Sequence, residues 1–64
     1  MSPAVRMAEN GLVRARPDPA GAPLGLALRG DVLPAAGGSA RGDWLPVLYR
    51  GRRGWVAKRL VNEE

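Results

Sequence analysis

The chain has 64 residues, enough for a single domain with a small hydrophobic core. The absence of cysteine excludes disulfides and thiolate metal sites, and the absence of histidine removes the commonest metal ligand and general base. Ten Lys and Arg residues against six Asp and Glu give a net charge of +4, which either reflects a GC-rich genome or favours an anionic partner.

The sequence contains neither of the apolar segments that direct a protein to a membrane. It has no run of about 18 apolar residues, so no membrane span is predicted. Met1–Asn10 lacks the apolar core of a secretory signal. The chain is therefore expected to be cytoplasmic if it is autonomous, or else an excised domain or a virus-encoded part released by lysis. The sequence predicts no oligomeric state.

The first part of the chain predicts an arm, a strand and a stiff loop. Met1–Asn10 is small, polar and aperiodic, which is typical of a flexible N-terminal arm. Gly11–Arg16 alternates apolar and basic residues in its second half, as a half-buried strand does. Leu12 is then either exposed or displaced by a bulge at Gly11, which leaves the strand register open. Pro17–Pro23 contains three prolines and a glycine, which indicates a loop.

Two short apolar segments follow this loop. Leu24–Leu28 and Val32–Ala36 each have the length and composition of a strand, and Arg29–Asp31 between them predicts a turn. Pro34 cannot donate a ladder hydrogen bond, so it indicates an edge or a bulge in the second segment. Gly37–Gly42 predicts a flexible loop before the aromatic part of the chain.

The aromatic residues are confined to one predicted hairpin. Trp44–Tyr49 is rich in strand formers, and Gly54–Ala57 is a short return strand opened by a second tryptophan. Arg50–Arg53 has the length and the glycine of a tight connection. Lys58–Leu60 predicts one turn of 3₁₀-helix. The chain therefore has five short predicted strands separated by turns, which is the pattern of a small all-β barrel.

The hairpin also carries the pattern of a known family. Its residues Asp43-Trp44, Val47, Tyr49, Gly51, Gly54-Trp55-Val56 and Leu60 fall in register on the second half of a bacterial Src-homology-3 (SH3b) domain. Val13-Arg14 with Pro17, and then Leu24-Gly25 with Gly30-Asp31, match the first half more loosely. The resemblance covers residues 11–62 and implies a five-stranded SH3-like barrel over that range.

The resemblance also implies a ligand groove. Val47 and Val56 match core positions of the family, so Trp44 lies on the opposite face, where eukaryotic relatives clamp ligand prolines with a tryptophan. The groove residues that the resemblance implies are Trp44, Trp55, Ala57 and Leu60. The alternative for Trp55 is a purely structural role covering the end of the barrel. In the bacterial family the comparable surface is often associated with cell-wall peptide stems.

A second candidate surface is basic. Arg50, Arg52 and Arg53 crowd the tip of the hairpin, and Lys58-Arg59 follow closely in sequence. Such a patch would bind nucleic acid without sequence specificity, with a strong dependence on salt. The alternative is that these are ordinary solvated side chains. A third possibility is a structural part of an assembly, such as a virion or a secretion machine, that buries exposed apolar residues against its neighbours.

Catalysis is not expected, because no histidine is present to activate a hydroxyl and no carboxylate pair has a suitable placement. We predict no catalytic residue, no metal site and no cofactor. The favoured hypothesis is a non-catalytic SH3b-type binding module, acting as a targeting or adaptor domain. Its predicted partner is a peptide, a protein segment or a cell-wall (peptidoglycan) peptide.

Overall fold

The computed structural model describes residues 4–63, which form seven β-strands and one 3₁₀ turn. The elements are β1 (Ala4–Met7), β2 (Gly11–Arg14), β3 (Pro23–Ala27), β4 (Val32–Pro34), β5 (Trp44–Tyr49), β6 (Arg52–Ala57), the 3₁₀ turn (Lys58–Leu60) and β7 (Val61–Glu63). In this part of the chain, no helix is long and apolar enough to cross a membrane.

The strands form two antiparallel sheets that together make the barrel. One sheet has the order β4-β1-β7, and the other has the order β3-β2-β6-β5. The two sheets are connected where the residues that follow β4 lie beside β5. Ala35 forms a β-bridge with Val47, and the Ala36 N–H donates to the Pro46 carbonyl at 3.1 Å. The all-β, SH3-like barrel predicted from the sequence is confirmed.

The core lies between the two sheets and is made of small and medium apolar side chains. Its buried members are Val5, Met7, Val13, Ala27, Leu33, Val47 and Val56. Val47 and Val56 are fully buried, as the sequence predicted. Burial of each Val, Leu or Met side chain among them contributes about 1.5–3 kcal/mol, so a barrel of this size depends on nearly every one of these.

The N-terminal segment differs from its prediction. Ala4–Met7 is a strand rather than part of a flexible arm, while residues 1–3 of that arm lie outside the described residues. Val5 and Met7 point into the core, and Met7 is only 1% exposed. Two inward positions are too few to give a visible sequence period. The strand forms because β4 and β7, both distant in sequence, pair with its two edges.

The β5–β6 hairpin has a tighter turn than the four residues predicted. Only Arg50 and Gly51 connect the strands, with φ values of 51° and 79°. Positive φ at both central residues matches the right-handed twist of the flanking strands. Strand β6 therefore begins at Arg52 rather than at Gly54. The predicted 3₁₀ turn at Lys58–Leu60 is confirmed.

The open register of the first predicted strand is resolved. Val13 is fully buried, and Leu12 lies opposite Leu26 on the outer face with 38% of its surface exposed. The irregularity falls between Val13 and Arg14, not at Gly11. Gly11 lets the side chain of Leu60 pack closely against β2, because an added Cβ would overlap the end of that side chain and displace it.

Candidate binding cleft

A row of apolar side chains crosses the outer face of the four-stranded sheet. From β3 to β5 this apolar row consists of Leu26, Leu12, Ala57 and Trp44. Strands β2 and β6 pair with Arg14 opposite Trp55. Two positions further along this antiparallel pair, Leu12 lies beside Ala57 on the same face. The row crosses three strand spacings of about 4.8 Å, or about 14 Å in all.

The middle of the apolar row is the floor of an open cleft with a volume of about 240 Å³. The cleft is lined by Asn10, Gly11, Leu12, Arg14, Pro19, Trp44, Ala57, Arg59 and Leu60. Ala57 is buried and has only a methyl side chain, so the floor is lowest between Leu12 and Trp44. The result is an apolar depression between two larger apolar side chains.

Backbone hydrogen bonds hold Trp44 and Leu60 in place. Trp44 exchanges two hydrogen bonds of 2.9 Å with Arg41, one in each direction. The Lys58 N–H donates to the Asp43 carbonyl at 2.7 Å, which ties the start of the 3₁₀ turn to the start of β5. The Leu60 carbonyl accepts from the Ala8 N–H at 2.7 Å. The backbone that carries both side chains is therefore held in place before any ligand arrives.

The proline-rich loop forms another wall, and it too is anchored. A terminal guanidinium N–H of Arg14 donates to the Gly21 carbonyl at 2.9 Å. The Asp18 side chain accepts from the Ala20 N–H at 2.8 Å, and the Gly21 N–H donates to the Asp18 carbonyl at 3.0 Å. These bonds hold the loop that carries Pro19 to the cleft.

Three of the four residues predicted for the groove come together in this cleft: Trp44, Ala57 and Leu60. The lining residues that the sequence analysis did not assign to the groove are Asn10, Gly11, Leu12, Arg14, Pro19 and Arg59. Leu12 could have been assigned to the groove from the sequence, because core packing does not explain a leucine that is expected to be exposed next to a strand glycine. Pro19 and Arg59 had none, since only the folded loop and turn bring them here.

Trp55 does not line the cleft. It is 8% exposed and lies opposite Pro46 on β5 and Arg14 on β2. The guanidinium of Arg53 covers its ring, with the central carbon 5.4 Å from the ring centroid. Trp55 is therefore a large side chain packed on the outer face of the four-stranded sheet, between Arg14 and Pro46.

The five predicted basic residues do not form one patch. Arg50, Arg52 and Arg53 lie at the hairpin tip, whereas Lys58-Arg59 lie beyond the other end of β6. The five residue steps from Arg53 to Lys58 span about 17 Å along an extended strand. Arg50 also lies over the ring of Tyr49, 5.6 Å from its centroid. The two groups of basic residues are close in sequence but far apart in space, because β6 is fully extended.

The cleft also contains charged residues, and all of them are basic. Arg14 and Arg59 are the charged residues among those that line it. A neighbouring depression, with a volume of about 450 Å³, is lined by Asp43, Ala57, Lys58 and Arg59. The lining of the cleft therefore combines an apolar floor with two arginines and no acidic residue.

A small antiparallel barrel with an apolar, tryptophan-walled cleft between a long loop and a 3₁₀ turn defines an SH3-like domain. The family model for the bacterial SH3 domain matches residues 10–62, and the chain belongs to that family. Searches among curated proteins and among solved structures gave no match. The family resemblance inferred from the sequence is thus confirmed. Domains of this type are generally binding modules.

Proposed function

We propose that this protein is a non-catalytic binding module that docks an extended peptide in the cleft, as a targeting or adaptor domain. The peptide belongs to the cell wall or to a partner protein. The observation that carries the proposal is the cleft itself, where the exposed Leu12 and the partly exposed Trp44 stand on either side of the Ala57 floor. Grouped exposed apolar side chains of this kind mark binding surfaces.

The dimensions of the apolar row favour an extended ligand. A segment in an extended or polyproline II conformation rises about 3.1–3.4 Å per residue, so about four or five residues span the row. Such segments lose little entropy when they bind. The hydrogen-bonded backbone at Trp44 and the packing of Leu60 against the core lower the cost further, because less of the cleft has to be ordered on binding.

The chemistry of the lining supports binding rather than catalysis. Its polar side chains are Asn10, Arg14 and Arg59, so the described lining contains no carboxylate and no hydroxyl. Proton transfer and nucleophilic attack use a carboxylate, hydroxyl, imidazole, thiol or amine within hydrogen-bond reach of a substrate, and the described lining offers none of these. The alternative of nucleic-acid binding is weakened, because the hairpin-tip cations are separated from Lys58-Arg59 by the length of β6.

The test is an NMR titration of nitrogen-labelled protein, in which the two tryptophans give two separate indole N–H signals. Soluble peptidoglycan fragments and a pool of extended pentapeptides are added separately. We expect the Trp44 signal to shift while the buried Trp55 signal moves little, and we expect Trp44→Ala to abolish binding.

Duplex DNA serves as the comparison ligand in the same experiment. Shifts confined to the hairpin tip that disappear with added salt would replace the proposal with nucleic-acid binding. No shift with any of the three ligands would contradict the proposal and leave the assembly role.

A further inference from the structure

We infer that the cleft selects an acidic peptide, whose apolar side chains lie along the apolar row and whose carboxylate lies between Arg14 and Arg59. This inference rests on the proposed function and specifies its ligand. It follows from the charges of the lining, from the positions of the nearby acidic residues beside other cations, and from the continuation of the apolar row beyond the cleft.

The two arginines lie on opposite sides of the apolar row along the strand direction, because Arg14 pairs with Trp55, which precedes Ala57, and Arg59 follows Ala57. Arg14 lies two residues beyond Leu12 on the same face of β2, at the base of the proline-rich loop. Arg59 follows Ala57 by two residues, in the 3₁₀ turn. A peptide lying over Ala57 and Leu12 therefore passes between two guanidinium groups, which bind carboxylates well because of their planar donor geometry.

Both arginines retain donors for a ligand. Arg59 is exposed, and in residues 4–63 neither it nor Lys58 forms an ion pair. Arg14 uses one terminal nitrogen for the Gly21 carbonyl, and a guanidinium has five N–H groups in all. That hydrogen bond also fixes the direction of the Arg14 side chain, so the cation is already in position.

The acids near the cleft do not cancel this charge. Asp18 belongs to the proline-rich loop, but its carboxylate lies 3.8 Å from the Arg16 guanidinium. Asp43 lines the neighbouring depression, where Lys58 and Arg59 accompany it. Glu9 precedes the lining residue Asn10, but it is not itself part of the lining, whose charged members are Arg14 and Arg59. The lining is thus cationic, in agreement with the net charge of +4. A basic peptide would be repelled where an acidic one is attracted.

The apolar row continues past the cleft to the edge of the sheet. Leu26 is 52% exposed on β3, directly opposite Leu12, so it extends the cleft floor without a gap. Strand β3 is an edge of its sheet. A ligand of about five residues that starts at Trp44 therefore ends over Leu26, with its middle residue between the two arginines.

The probe is an immobilised library of acetylated, amidated pentapeptides with Leu, Val or Pro at the outer positions. The central position is Glu, Gln or Lys, which are similar in length and differ in charge. We expect the full chain to retain Glu peptides about two- to five-fold better than matched Gln peptides, the range of one exposed ion pair. Lys peptides are expected to be the weakest.

Two charge-reversal variants locate the effect. Arg59→Glu is expected to remove or invert the preference for Glu over Lys. Arg52→Glu is the matched control: it makes the same change in net charge on an exposed arginine at the far end of β6. This control is expected to keep the preference. Leu26→Ser is expected to weaken Glu and Gln peptides equally, because Leu26 contributes apolar contact only.

The outcomes separate this inference from the proposed function. Equal retention of Glu and Gln peptides, with binding still lost in Trp44→Ala, would overturn the acidic preference and leave the binding module standing. A preference that Arg52→Glu removes as strongly as Arg59→Glu would overturn the placement of the carboxylate. Retention of no peptide above the background of Trp44→Ala would overturn both.

Discussion

The guanidinium of Arg53 lies over the indole of Trp55 and also approaches the loop that precedes Trp44. Its central carbon lies 5.4 Å from the ring centroid. A Cβ added at Gly38 would lie 2.9 Å from a terminal nitrogen of the same guanidinium. Arg53 therefore joins β6 to the 37–42 loop, whose far end leads into Trp44. This arginine is better described as a packing residue than as part of a basic patch.

Arg53→Ala is therefore expected to destabilise the barrel by about 0.5–1 kcal/mol, because cation–π contact and side-chain packing are lost together. Arg52→Ala is the matched control, since Arg52 is also exposed and has the same charge. Its effect is expected to stay within about 0.5 kcal/mol. Urea unfolding followed by tryptophan fluorescence measures both. An equal cost for the two variants would contradict the packing role.

Leu12→Ala is expected to weaken peptide binding by about 1 kcal/mol, because it removes apolar surface beside the cleft floor. Leu48→Ala is the control: Leu48 has 37% of its surface exposed against 38% for Leu12, but it does not line the cleft. Binding is measured by titrating each variant with the best peptide from the library. A similar loss in both variants would show that the contact is not local to the cleft.

Met7→Ala is expected to cost about 2–5 kcal/mol, the usual range for emptying a buried site of this size. Because such a loss can unfold a small barrel, Met7→Leu is included, with an expected cost below about 1.5 kcal/mol. Thermal unfolding of the variants measures the loss. A Met7→Ala variant as stable as Leu26→Ala, which alters a half-exposed side chain, would mean that β1 is not part of the core.

Gly25→Ala is expected to cost about 1–3 kcal/mol, because the added Cβ would overlap the ring of Tyr49, which packs against the core. Gly37→Ala is the control, since nothing lies within 4 Å of a Cβ added there. That substitution is expected to be neutral or stabilising by up to about 1 kcal/mol. Urea unfolding of both variants checks the pair, and equal midpoints would contradict the contact between Gly25 and Tyr49.

The sequence was most informative where strands are long and their partners are near. Trp44–Tyr49 and the 3₁₀ turn were predicted with their correct bounds, because strand formers and a tight turn lie within one short window. Val47 and Val56 followed from strand parity and the family pattern. Strand β1 was missed, since its stability comes from two partners far away in sequence.

The candidate site was predictable only in part, for a related reason. Parity places Trp44 and Trp55 on the same outer face, and the sequence gives no sign that Arg53 covers only one of them. The lining by Pro19 and Arg59 depends on how a loop and a turn fold over the sheet. The separation of Arg53 from Lys58, by contrast, follows from the length of an extended strand and could have been predicted from the sequence.

The pairing of β1 with β7 also determines how the barrel responds to tension. Val5 lies opposite Glu63, so the first and last described strands run antiparallel with their outer ends side by side. A force applied through those ends acts perpendicular to the two strands. It therefore breaks the hydrogen bonds between β1 and β7 one after another rather than all together. We therefore expect the barrel to yield at low force when it is stretched between two anchors, even if it resists heat and urea well.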